Sequence, residues 1–447
     1  MQKPKRLRLI ILILCVVGLG AICLFAHRPD KIDVNATYNA ENRTLSVTET
    51  LSLTNTTGHR LKEWVFNLYP NAYADEKTAP IQATDKKFAY PNGFSSGSAE
   101  VFSVSCGKYP CDWTLSGTQK TLLRVQLPRP VPIGGSVSLT VTYSVTLPDS
   151  RLNLGYSQKD VRLCSAFLLP AVYDRENRCF FTDDVPPIGD YVFSQAAAFD
   201  VTLTAPEQFV VAGTGCVSCG KGVWRMTGEN LRDVCLVLSP DYEVLQKERG
   251  GLRFSVFAKT PESAETLLTL SEKILSNYIP AFGNFPYPEL TIATASLCKG
   301  SYATSGMVIL DDVLVRSDPG MLEYTLANAL AHQWFGACVG SDPIRHPAQE
   351  EALCTFAALY HFEQTYGKSS FDSLYEGLIA PVLLSPRFAD ISPDQPLSAF
   401  TSDAAYEAVV CRKGAAAVQS KREALGDEAF FSALREYILK NKFKIAE

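Results

Sequence analysis

The run LANALAHQWFG, residues 326–336, places His332 four residues after Asn328. Side chains four apart share one helix face. Imidazoles at both positions would grip one metal ion, and a carboxylate at the residue after the first would deprotonate a bound water. Only the last of these positions is kept here. Asn328 offers a neutral amide and Ala329 offers no proton acceptor, so the pattern retains one ligand and lacks a general base.

Two kinds of element must position these residues. From about residue 32 to 258 the chain alternates with period two. In SVSLTVTYSV the residues Val137, Leu139, Val141, Tyr143 and Val145 point one way, and LSVTETLSL and FDVTLT repeat the pattern with Phe199, Val201 and Leu203 on one face. Turn clusters such as NTTGH, GTG and ERGG separate the strands. After KTPES the period becomes helical: Ala264, Leu267, Leu268, Ser271, Ile274, Leu275, Tyr278 and Ile279 form one stripe, and Pro280 is expected to stop it. The segment PELTIATASLCKGSYATSGMVILDD reads as two strands. Near the end Gly426 closes one helix, Asp427 is expected to cap the next, and Phe430, Phe431, Leu434, Tyr437 and Ile438 form its apolar stripe.

With both helices in view, LANALAHQWFGACVG followed by QEEALCTFAALYHFEQTYG resembles the active-site helix pair of the aminopeptidase N family of zinc metallopeptidases, of the gluzincin type. LKEWVFNLYPNAY and FDVTLTAPEQFVVAGTG are similar to its N-terminal β domain. FGNFPYPELTI resembles the start of its thermolysin-like domain, and RKGAAAVQSKREALGDEAFFSALREYI resembles its later helices. The resemblance implies an N-terminal antiparallel β-sandwich-like domain followed by a thermolysin-like, mainly α-helical domain. It also assigns the third zinc ligand to Glu351, 19 residues after His332. The family's amine-binding Glu falls on Ala303 and its catalytic Tyr on Cys411. Counting Asn328, Ala329, Ala303 and Cys411, four chemical positions are substituted, and His332 and Glu351 remain as residual metal ligands.

These substitutions are severe. Loss of a positioned base costs ~10² to 10⁴ in rate, and loss of an oxyanion donor a comparable ~10² to 10³. Two good ligands hold zinc poorly. The resemblance together with its departures therefore points to a pseudopeptidase that binds a peptide or protein segment in the interdomain cleft, with no cofactor expected. His332 and Glu351 would then be hydrogen-bonded to each other or to Asn328 as a satisfied polar core. The rival reading is an active zinc aminopeptidase with a site rebuilt from His332, Glu351 and Cys411, into which His346 or Glu350 could swing. A third is a structural ectodomain of a membrane assembly.

The 447 residues suit two or three compact units, and 46% apolar with 20% charged residues excludes disorder for the bulk. A net charge of −5 and the absence of any nucleic-acid motif set nucleic acids aside. Lys3, Lys5, Arg6 and Arg8 precede an uncharged run from Leu9 to Ala26. That pattern predicts a cytoplasmic basic flank over residues 1–8, a transmembrane signal anchor over 9–26 and a single-pass cell-membrane protein exposed outside the cytoplasm, with a cleaved signal peptide as the second reading of the same run. The β domain is then expected over 32–258. A degenerate peptidase domain follows over 260–447, ending at KNKFKIAE where the family continues into a helical C-terminal domain. Of 13 cysteines, Cys106 with Cys111 and Cys216 with Cys219 are the best-spaced disulfide candidates in an oxidising compartment, and local loop staples or plain buried thiols are the simpler reading of all of them. Sequons stand at Asn35, Asn42 and Asn55.

Overall fold

A computed structural model describes residues 29–446. The period-two runs form an eight-stranded sheet in the spatial order Cys216–Gly220, Val223–Leu231, Ala197–Thr204, Lys31–Asn39, Thr44–Thr54, Ser136–Thr146, Ser98–Cys106 and Tyr109–Pro110. Alternation does what the sequence requires: Leu139, Val141, Tyr143 and Val145 are fully buried, and their Ser and Thr neighbours are not. Two four-stranded sheets and a two-stranded one, Tyr173–Asp174 with Cys179–Phe180, belong to the same half. The expected antiparallel arrangement needs one correction. Lys31–Asn39 pairs in parallel with Ala197–Thr204, because the long excursion between them leaves the second strand free to return in the same direction.

One inward position of Thr44–Thr54 is polar. Glu49 is buried in the core, where its carboxylate accepts from the Tyr143 hydroxyl at 2.6 Å and from the Leu168 amide at 3.1 Å. Burial pushes its pKa up to about 8 against the pull of the Tyr143 bond, so it is held largely as the neutral acid.

The second half is built on a five-stranded sheet, in the order Glu243–Arg249, Leu252–Ala258, Glu289–Ala295, Met307–Asp311 and Ser301–Thr304. Helix α1, Pro261–Phe282, is the crossover between two parallel strands of that sheet, and Thr260 caps it by accepting from the Ser263 amide. Leu252, Phe254, Val256 and Ala258 pack into the core of this half, so its sheet begins before the change of period near residue 260.

Three local expectations are corrected. Pro280 does not stop α1, which continues through the buried Ala281 and Phe282 and ends at Gly283, where φ is +98°. The cost of one missing amide near a helix end is outweighed there by two buried side chains. The segment after it forms three strands rather than two, because the turn at Gly306 folds Ser301–Thr304 back on Met307–Asp311. Asp427 is already inside its helix, and its carboxylate takes the Arg422 guanidinium at 2.8 and 2.9 Å instead of capping.

The cysteine pairs are corrected as well. Cys106, Cys111 and Cys219 are free thiols, and the disulfide joins Cys164 to Cys235 across 71 residues of chain. Of the sequons, Asn55 is fully buried, its amide donating to the carbonyls of His59, Val131 and Pro132. The transmembrane anchor expected over residues 9–26 lies outside the described residues. No helix among the described residues is long and apolar enough to cross a membrane, so the expectation of a single-pass membrane protein is not sustained.

Three arginines, of which Arg232 is buried, tie the two halves. The Arg232 guanidinium, from the first half, donates to the Ala337 carbonyl at 2.8 Å and the Lys444 carbonyl at 2.7 Å in the second. Gly340 is required beside it, because a Cβ there would collide with the guanidinium. Arg151 reaches the Leu297 carbonyl at 2.6 Å, and Arg345 returns the contact to Asp183 at 2.7 Å.

Candidate functional site

Helix α2, Pro319–Ala331, is the LANALA helix. Asp318 caps it by accepting from the amides of Gly320 and Met321, both at 3.0 Å. Its last turn is paved with small buried residues, Ala327, Ala329 and Ala331, which allow close packing against helix α3, Ala348–Tyr366. The rest of the motif is structural. Gln333 accepts from the Gly306 amide at 2.7 Å and donates to the Thr304 carbonyl at 3.0 Å, which pins the edge strand to the helix end. Trp334 is fully buried, with its indole N–H on the Gly283 carbonyl.

His332 caps the C-terminus of α2. Its Nδ1 lies 2.7 Å from Glu350 Oε1, and the Ser341 hydroxyl donates to Glu350 Oε2 at 2.9 Å. The expected pairing of His332 with Glu351 or Asn328 is therefore replaced by one with Glu350. Adjacent residues point about 100° apart on a helix, and Glu350 has the facing room: a Cβ on Gly336, whose φ is +101°, would collide with its carboxylate. Glu351 turns the other way, toward Cys411, whose thiol donates to Glu351 Oε2 at 3.7 Å. Cys411 lies in a π-helical turn, Glu407–Lys413, just ahead of helix α4, Gly414–Leu425. Ala303 lies on the edge strand Ser301–Thr304, and Asn328 faces a large cleft.

The electrostatics follow from this placement. Burial pulls the His332 pKa down, but the Cys354 thiol beside it and the Glu350 carboxylate outweigh that and hold the imidazole well above its ordinary value. Since burial pushes Cys354 itself up to about 12, it is a neutral thiol, and Glu350 is the partner that matters. Burial raises Glu351 to about 7 despite the opposing pull of His332. Cys411 is pushed well above the ordinary thiol value by burial and by Glu351, which keeps it protonated and a poor nucleophile.

Two residues of the site had no sequence signal. Asp190 is exposed at the cleft, where desolvation and then Glu350 raise its pKa. It follows Gly189, where φ is +68° and a Cβ would press on Leu397. Tyr406 stands five residues before Cys411, and its buried hydroxyl has no hydrogen-bond partner among the described residues. The cleft encloses about 740 Å³ between the halves, with Tyr73, Arg151 and Asp190 on one wall and Asn328, Glu351, Tyr406 and Cys411 on the other.

Comparison with solved structures places this geometry. The M1 zinc metallopeptidase of Deinococcus radiodurans superposes with a TM-score of 0.63 at 18% identity, covering 94% of this chain and 89% of that one. A glutamate-to-alanine mutant of that enzyme bound to a Tyr-Ser-Ala substrate matches with a TM-score of 0.61 at 17% identity over the same shares. This chain has the M1 metallopeptidase fold. The family resemblance read from AHQWFG thus holds at the level of architecture: a β-rich N-terminal part and a helical part. Among curated proteins, endoplasmic reticulum aminopeptidase 2 of Bos taurus is 22% identical over 212 residues and that of Homo sapiens 23%. Each match spans 44% of this chain and 22% of the relative's length. No family model matches the chain.

Zinc is named for the M1 neighbours, and the family positions for it are Asn328, His332 and Glu351. The residues present do not fit that set. Asn328 is a neutral amide, the His332 ring engages Glu350, and Glu351 is paired with a protonated thiol. The rebuilt set of His332, Glu351 and Cys411 does not converge either. Among the described residues, the group of three metal-ligating side chains with mutually close ligand atoms is Asp190, His332 and Glu350.

Proposed function

We propose that this protein is a catalytically silent M1-type scaffold whose cleft binds a peptide or an extended segment of a protein partner. The observation that carries the reading is Ala329. Where H-E-x-x-H has its general base, this chain has a methyl group that is 1% exposed, behind a cleft of about 740 Å³. Without that base the family reaction loses ~10² to 10⁴ in rate before any loss of metal is counted. The cleft itself is kept, and aromatic faces beside polar groups suit a peptide backbone and its side chains. That a glutamate-to-alanine mutant with this fold is found with Tyr-Ser-Ala bound supports binding without turnover.

The test is fluorescence anisotropy of the purified protein against a labelled peptide library, with mass spectrometry of the same mixtures after a day. Saturable binding with intact peptides is expected, weakened by Tyr406→Ala and Asn328→Trp. Peptide hydrolysis that disappears in Glu351→Ala would establish the rebuilt enzyme instead. Absence of both binding and hydrolysis would leave the cleft without a role and favour a structural protein.

A further inference from the structure

We propose that Asp190, His332 and Glu350 form a site for one divalent transition-metal cation, sharing only His332 with the family's zinc set, that clips the β-rich half to the helical half. Each residue offers a ligand atom, and the three atoms lie within 4.8 Å of one another. All three line a single small cavity of about 60 Å³, room for an ion and a few waters. Small adjustments of three side chains would bring them to the ~2.0 to 2.2 Å that nitrogen and carboxylate ligands adopt around zinc.

The donor set selects the cation class. One imidazole and two carboxylates suit zinc, cobalt or manganese, while an all-oxygen shell would be needed for calcium or magnesium. The ligands are held in place. Gly336 leaves room for Glu350, Ser341 holds its second oxygen at 2.9 Å, and Gly189 sets the turn that presents Asp190. Arg232, on the cavity wall, has its N–H groups committed to the carbonyls of Ser194, Ala337 and Lys444.

The site differs from the family's by one helix position, Glu350 for Glu351, and by a ligand from the other half of the molecule.

The experiment uses the full chain, dialysed against chelator and then titrated with zinc chloride by calorimetry, with thermal unfolding followed in parallel and magnesium as the control cation. One zinc per chain and a raised unfolding temperature are expected, with no response to magnesium. Asp190→Asn, at a position open to the cleft, and Glu350→Gln should each weaken zinc by at least about tenfold, the scale of lost metal-site partners, while Glu351→Gln and Cys411→Ser keep wild-type affinity. A folded wild-type protein that takes up no zinc overturns the proposal. So does zinc that survives Asp190→Asn but is lost in Glu351→Gln, which would return the metal to the family position. Peptide binding measured in chelator stands or falls separately.

Discussion

His332 at the end of α2 and Glu350 at the start of α3 are bonded directly, Nδ1 to Oε1 at 2.7 Å, with side-chain exposures of only 12% and 14%. Burial makes this pair sensitive to the loss of one member, since the survivor is left without water or partner.

Glu350→Ala should therefore destabilise the fold by ~3 kcal/mol, in the range for breaking a buried pair. Glu351→Ala removes a long thiol contact and a carboxyl beside Tyr406 and should cost less, ~1 kcal/mol. Urea unfolding of both variants checks the ranking, and the reverse order would remove the His332–Glu350 pair from its central position.

Stability should fall as pH rises across the neutral range because of Glu49. The sign follows from its shift: the folded carboxyl titrates near 8 and the unfolded one near 4.5, so between those values the folded state binds the extra proton. Asp233, raised to about 6 by burial, adds the same slope at lower pH. Glu49→Gln should flatten the dependence above pH 6, read from urea midpoints at pH 5, 6.5 and 8. An unchanged slope would show that Glu49 is ionised in the fold.

Arg232→Met should loosen the two halves. Its guanidinium satisfies the carbonyls of Ser194, Ala337 and Lys444, and methionine fills the space without a donor. A loss of ~3 to 5 kcal/mol is expected from orphaned buried carbonyls and lost packing. Calorimetry should show a lowered or split transition, and a wild-type trace would refute the clamp.

Alkylation in denaturant without reductant should label Cys106, Cys111 and Cys219 and spare Cys164 and Cys235. Closing a loop of 71 residues stabilises by about 4 kcal/mol in the chain-entropy model, so reduction should lower the melting temperature by several degrees. A disulfide mapped between Cys106 and Cys111 would contradict the structure.

Much of the fold was legible because its signals are local. Leu139, Val141, Tyr143 and Val145 alternate in sequence and are buried together in one strand. The stripe from Ala264 to Tyr278 is helical in sequence and buried in α1, whereas Ile279, at its edge, is 36% exposed. HQWFG was recognisable because each of its residues has a packing duty that survives without chemistry: Gln333 pins an edge strand, Trp334 fills the core and Gly336 makes room. The disulfide was not legible, since 71 residues separate its cysteines and no spacing rule reaches that far.

The sequence by itself determined which chemistry is missing. A methyl at 329 and an amide at 328 cannot act as base and imidazole in any conformation. Only the tertiary structure decided what the remaining groups do, because neighbours on a helix point apart and the surrounding backbone decides which one finds space. A glycine at 336 gives Glu350 to His332, and Glu351 is left to Cys411. Asp190 joins that pair from more than a hundred residues away, brought there by the packing of one half against the other.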